Sequence, residues 1–77
     1  MYYELQIRHA SEPKLKRTGV KFNSIAFAVY FSKGYIRGIN DAGKDGRYSG
    51  YITDDQNFPL YLIDSRGIEK FIGVTDT

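Results

Sequence analysis

One histidine, five serines and no cysteine bound the covalent chemistry open to this 77-residue chain. Without cysteine there is no disulfide, no thiolate nucleophile and no cysteine-ligated metal. His9 lies beside Arg8 at the end of an alternating segment. It reads as a solvated or packing residue, because a general base needs an orienting group and no motif supplies one. Ser11, Ser24, Ser32, Ser49 and Ser65 lack a nucleophile-elbow context and suit turns and caps. The loop Asp41-x-Gly43-x-Asp45-Gly46 has three features of a calcium loop. Gly43 offers no side-chain ligand at the third place, however, and Ile52 stands where a bidentate Glu belongs, so the loop reads as a turn. Asp54 and Asp55 are adjacent and point apart if extended, and Gly43-Lys44 lacks the rest of a phosphate-binding loop. The chain therefore reads as a protein that is not an enzyme and takes neither metal nor cofactor.

Binding chemistry is better represented. Lys14, Lys16, Arg17 and Lys21 fall close together with Arg8 just before them, and Lys33, Tyr35 and Arg37 follow. These eight residues form the expected partner-binding set. Charge is unevenly divided: Met1–Gly38 carries seven basic residues against two acidic ones, and Ile39–Thr77 carries four against seven. Such polarity predicts a surface that prefers one sign of partner. Cations near a sheet that carries Tyr30, Tyr35, Tyr48 or Tyr51 can hold phosphates while bases stack on the rings.

The expected function is occupancy of a macromolecular partner, foremost a protein or nucleoprotein complex that handles nucleic acid. Small phage or mobile-element inhibitors such as anti-CRISPR proteins act in this way, an analogy of size and composition. One alternative is direct nucleic-acid binding by the basic half and surface tyrosines. The other is a structural subunit of a homo-oligomer, with the oligomeric state open. What separates direct binding from a protein partner is whether the cations and tyrosines share one face.

Lys33-Gly34-Tyr35 resembles the start of the first nucleic-acid-binding motif of cold-shock domains. Phe27–Phe31 resembles the second motif but precedes the first, so the order is reversed and membership is not inferred.

The elements that must carry these residues read as β-structure. Tyr3, Leu5 and Ile7 alternate with polar residues, the period of a strand with one wet face. His9–Lys21 reads as a long basic loop. Ile25–Phe31 is apolar on both faces and reads as a central strand, with a helix capped by Ser24 as the alternative. Gly34 then marks a turn into a strand over Tyr35–Ile39, which forms a hairpin with Arg47–Thr53. Leu60–Ile63 and Ile68–Val74 flank Asp64-Ser65-Arg66-Gly67 as a second hairpin, a short C-terminal helix over 65–74 being the alternative. Gly38 and Gly50 read as bends within strands.

The expected fold is therefore all-β: one domain over 1–77, a small antiparallel barrel or curled sheet of five to six strands, SH3-like or OB-like. No internal repeat is apparent. Hydrophobic content of 42% suits a folded domain, and twelve Tyr and Phe supply burial in a short chain. The first residues carry no basic stretch followed by an apolar run, and no apolar segment reaches the length of a membrane span. A cytoplasmic protein with no membrane contact is expected.

Overall fold

A computed structural model describes residues 1–43 and 47–73. Five strands and one helix follow in the order β1 (Tyr3–His9), β2 (Lys16–Phe22), α1 (Ile25–Ala42), β3 (Tyr48–Thr53), β4 (Pro59–Ile63) and β5 (Glu69–Phe71). The strands form one antiparallel sheet in the order β2-β1-β3-β4-β5. β2 and β5 remain edges, so the sheet is open and does not close into a barrel. The fold is mostly β, with α1 laid across one face.

The strands expected at Ile25–Phe31 and Tyr35–Ile39, and the hairpin from Tyr35–Ile39 to Arg47–Thr53, are replaced by α1. Ser24 caps the helix, its hydroxyl accepting from the Phe27 N–H at 3.3 Å. Ala28, Val29, Ser32 and Ile36 are buried at helical spacing, with Ile25 and Ile39 half-buried beside them. That period emerges only beyond Phe31, because a seven-residue apolar run fits a strand and a buried helix equally. Gly34 and Gly38 sit within the helix as neither turn nor strand bend. Lys44, Asp45 and Gly46, on which the calcium-loop comparison partly rested, lie outside the described residues.

β2 corrects the expected loop over 9–21. It is an edge strand, largely exposed, and Gly19 inside it takes φ of 79° where the β1–β2 register shifts between Glu4 and Gln6. At the other end, residues 69–71 are a strand and the described residues 65–73 form no helix; Val74, where the expected strand ends, lies outside the described residues.

Leu5, Phe22, Ala28, Val29, Ile36, Ile52 and Ile63 form the core between α1 and the sheet. Gly50 marks the closest approach of the two layers: a Cβ there would stand 3.0 Å from Ile36 and 3.1 Å from Leu5. The glycine therefore serves packing, not a bend.

The chain also contains a repeat that its sequence conceals. Residues 54–58 and 64–68 form the same turn ten positions apart. In each, the first Asp carboxylate accepts from the N–H groups two and four residues on, at 2.9 Å throughout. In each, the fourth residue takes the left-handed conformation, Asn57 at φ 67° and Gly67 at φ 81°. These two turns set β3, β4 and β5 in register.

Candidate nucleic-acid interface

Alternation decides what the uncovered face of the sheet carries. Leu5, Ile52 and Ile63 point at α1, so their neighbours Gln6, Tyr51 and Leu62 point away. The pairing extends that line into one cross-strand row: Arg17, Gln6, Tyr51, Leu62 and Lys70. A tyrosine thus lies in mid-sheet with a cation on each edge strand, roughly 19 Å apart at about 4.8 Å per strand. Arg8, paired with Ser49, lies in the adjacent row.

The two ends of this face differ. At the Glu4 end the surface is closed by polar contacts. Arg17 grips the buried Glu4 carboxylate with two hydrogen bonds, at 2.6 and 3.1 Å. Those bonds hold the carboxyl below its ordinary range. Gln6 donates to the Thr53 hydroxyl and to the Asn57 side-chain oxygen. Lys21 lies 4.7 Å from the centre of the Tyr2 ring.

At the Arg8 end the surface opens into a groove of ≈ 300 Å³ lined by Arg8, Arg47, Ser49, Tyr51, Leu62 and Ser65, among others. Arg8 Nε is shielded from solvent and meets no hydrogen-bond acceptor among the described residues. That N–H is covered, so what Arg8 offers an anion in the groove is the charge of its guanidinium. Asp64, the acid of the groove, turns one carboxylate oxygen to the backbone and stays ionised. Its Oδ1 holds the Arg66 and Ile68 N–H groups, and those backbone bonds, Ile68 foremost, keep its carboxyl below the ordinary range.

The eight residues expected to bind a partner divide between the two sides of the sheet. Arg8, Arg17 and Lys21 share the open face. Lys14 is exposed between β1 and β2, and Lys16 pairs with Glu12 at 3.5 Å. Lys33, Tyr35 and Arg37 lie on α1, behind the sheet: Lys33 pairs with Glu69 at 2.8 Å, and Tyr35 stacks on Phe31 at 5.9 Å. Of the four tyrosines considered for stacking, Tyr51 alone lies on the open face. Tyr48 packs edge-on against His9 on the helix side, and Tyr30 is on α1.

Arg47 and Lys70 escape notice in the sequence because both belong to the acidic half of the chain. The signal available is the alternation of Ser49, Tyr51 and Thr53 with Gly50 and Ile52. The resemblance to a cold-shock motif falls on α1, where Lys33-Gly34-Tyr35 is helical and not on a strand. Among the described residues no group of three or more His, Asp or Glu side chains is placed to hold a metal ion, and no helix is long and apolar enough to cross a membrane. No protein family, curated protein or solved structure matches this chain.

Proposed function

We propose that this chain is a non-enzymatic binding module whose open sheet face takes single-stranded nucleic acid. The observation that carries the reading is the company of Tyr51: Arg8 and Arg47 line the same groove, and Lys70 closes one end of its cross-strand row, while Arg17 at the other end is held by Glu4. A base stacks on the tyrosine ring while the arginines take the flanking phosphates.

A single strand fits this face better than a duplex. The major groove of a duplex admits a helix or a two-stranded ribbon, not the broad side of a five-stranded sheet, and bases inside a duplex offer no ring face to stack. The charge asymmetry that suggested a protein partner supports direct contact at least as well, because Arg8, Arg17 and Lys21 share a face with an aromatic ring. The test is fluorescence anisotropy with labelled single-stranded and duplex oligonucleotides at low and physiological salt. Single-strand binding that weakens with salt and is lost in Tyr51→Ala supports the reading. No binding at low salt would sink it.

A further inference from the structure

The solvent side of α1 is built unlike a solvated helix. Phe27 is 57% exposed and Tyr30 77% exposed, and they share one outward stripe with Gly34, Gly38 and Asp41 at spacings of three and four. Ala28, Val29, Ser32 and Ile36 occupy the opposite side, against the sheet. A water-facing stripe favours Glu, Lys or Gln; this one offers the exposed Tyr30 and the outer side of Phe27, whose ring packs inward on Phe22 and Phe31, along its first half and notches along its second. Beyond the helix's own neighbouring backbone, no atom of the described residues lies within 4 Å of a Cβ placed at Gly34 or Gly38, so neither glycine is required by packing against the rest of the chain.

We propose that this face pairs with a second copy of the chain, the two α1 helices antiparallel about a two-fold axis at Gly34. The surface is complementary to itself in that arrangement. Tyr30 of each copy enters the notch at Gly38 of the other, and the glycines at the axis let the two backbones approach. Charge agrees as well. The first turn of α1 carries no acidic residue, and the antiparallel arrangement brings Asp41 of the second copy to that positive helix end. The open sheet faces are left outward on both sides. This inference stands on α1 alone and does not depend on what the sheet face binds.

The test is sedimentation equilibrium on the full chain and on Gly34→Gln, which places a good helix former where the isolated chain has room. The wild type is expected to approach twice 8.8 kDa, and Gly34→Gln to fall to the single-chain mass with an undiminished helical circular-dichroism signal. Because the chain lacks cysteine, Gly34→Cys is a clean second probe. It is expected to oxidise to a covalent dimer, whereas Asp55→Cys on the exposed β3–β4 turn stays single. A wild type that remains monomeric at the highest attainable concentration overturns the proposal and leaves the face to a different protein or a lipid surface. A dimer that survives Gly34→Gln and does not cross-link through Gly34→Cys overturns it too, by placing the interface elsewhere.

Discussion

The side-chain amide of Asn40 engages both backbone polar groups of Tyr48: Nδ2 donates to the carbonyl at 3.0 Å and Oδ1 accepts from the N–H at 2.9 Å. The same Nδ2 donates to the Ser65 carbonyl at 2.8 Å. One side chain near the end of α1 therefore fixes the start of β3 and the β4–β5 turn. It ties the helix to the far half of the sheet, whose residues follow it in the chain.

Asn40→Ala leaves those backbone groups without their partner, and should cost about 2 kcal/mol on the usual scale for unsatisfied, partly buried groups. Asn40→Asp keeps the acceptor but turns its second carboxylate oxygen onto the Tyr48 and Ser65 carbonyls, so it should recover none of that loss at neutral pH. Urea unfolding checks this: a lower midpoint with an unchanged slope is expected for both, and a midpoint equal to wild type would show that the clamp contributes nothing.

Glu4 makes stability depend on acid. Arg17's hydrogen bonds lower its folded-state pKa below the ordinary 4.5. Its contribution is therefore present above that value and lost as pH falls through the folded-state pKa. Asp64 acts in the same direction from 3.8 through its turn N–H groups, Ile68 foremost. Unfolding stability should fall steadily below pH 4.5, and Glu4→Gln should flatten the slope. Arg17→Ala should lower stability at neutral pH, since it leaves the Glu4 carboxylate buried and unpaired. Arg17→Glu should be worse still, so Arg17 cannot serve as a charge-reversal probe of partner binding. Chemical denaturation from neutral to strongly acidic pH measures all three.

Ser32 occupies a fully buried place on the inner side of α1, and its hydroxyl meets no hydrogen-bond partner among the described residues. Ser32→Ala removes a desolvated polar group and inserts a better helix former, so it should stabilise the fold by about 1 kcal/mol. A lower thermal midpoint for this variant would contradict the account.

Gly67 answers to two constraints at once. Its φ is 81°, and a Cβ there would stand 2.5 Å from Cγ of Arg37. Gly67→Ala should cost about 2–3 kcal/mol, combining left-handed strain of roughly 1 kcal/mol with displacement of the arginine. In an Arg37→Ala background most of the second part disappears, leaving only the tight Lys33 carbonyl at 3.3 Å, and the penalty should shrink to about 1–2 kcal/mol. An equal penalty in both backgrounds would assign the whole effect to the backbone.

What the sequence disclosed, and what it hid, follows from where each signal resides. Tyr3–Ile7 announced β1 because period-two alternation is a local signal, and Asp64–Gly67 announced the β4–β5 hairpin through its turn residues. The segment Ile25–Phe31 misled because its β-branched and aromatic residues favour a strand only weakly, whereas its packing partners, Leu5 and Ile52, lie far away in the chain. β2 hid because an edge strand buries little and Gly19 interrupts it. The candidate site was half legible: Arg8, Arg17 and Lys21 stood out by charge density, but joining them to Arg47, Tyr51 and Lys70 required the strand order.

That strand order supplies the last prediction. If the open face holds a single strand, its residues should divide by readout. Tyr51→Ala removes a stacking platform and should weaken binding by about 1–3 kcal/mol while leaving the salt dependence unchanged. Arg8→Gln and Arg47→Gln should each make the logarithm of affinity less steep in the logarithm of salt, by about 0.7 for each phosphate that the variant no longer neutralises. Arg37→Gln, on the opposite side of the sheet, carries the same charge change and should leave both affinity and slope nearly untouched. Anisotropy titrations at several salt concentrations separate these outcomes. Equal losses from Arg8→Gln and Arg37→Gln would mean that net charge alone holds the strand, and Tyr51 would then have no claim to be the centre of the site.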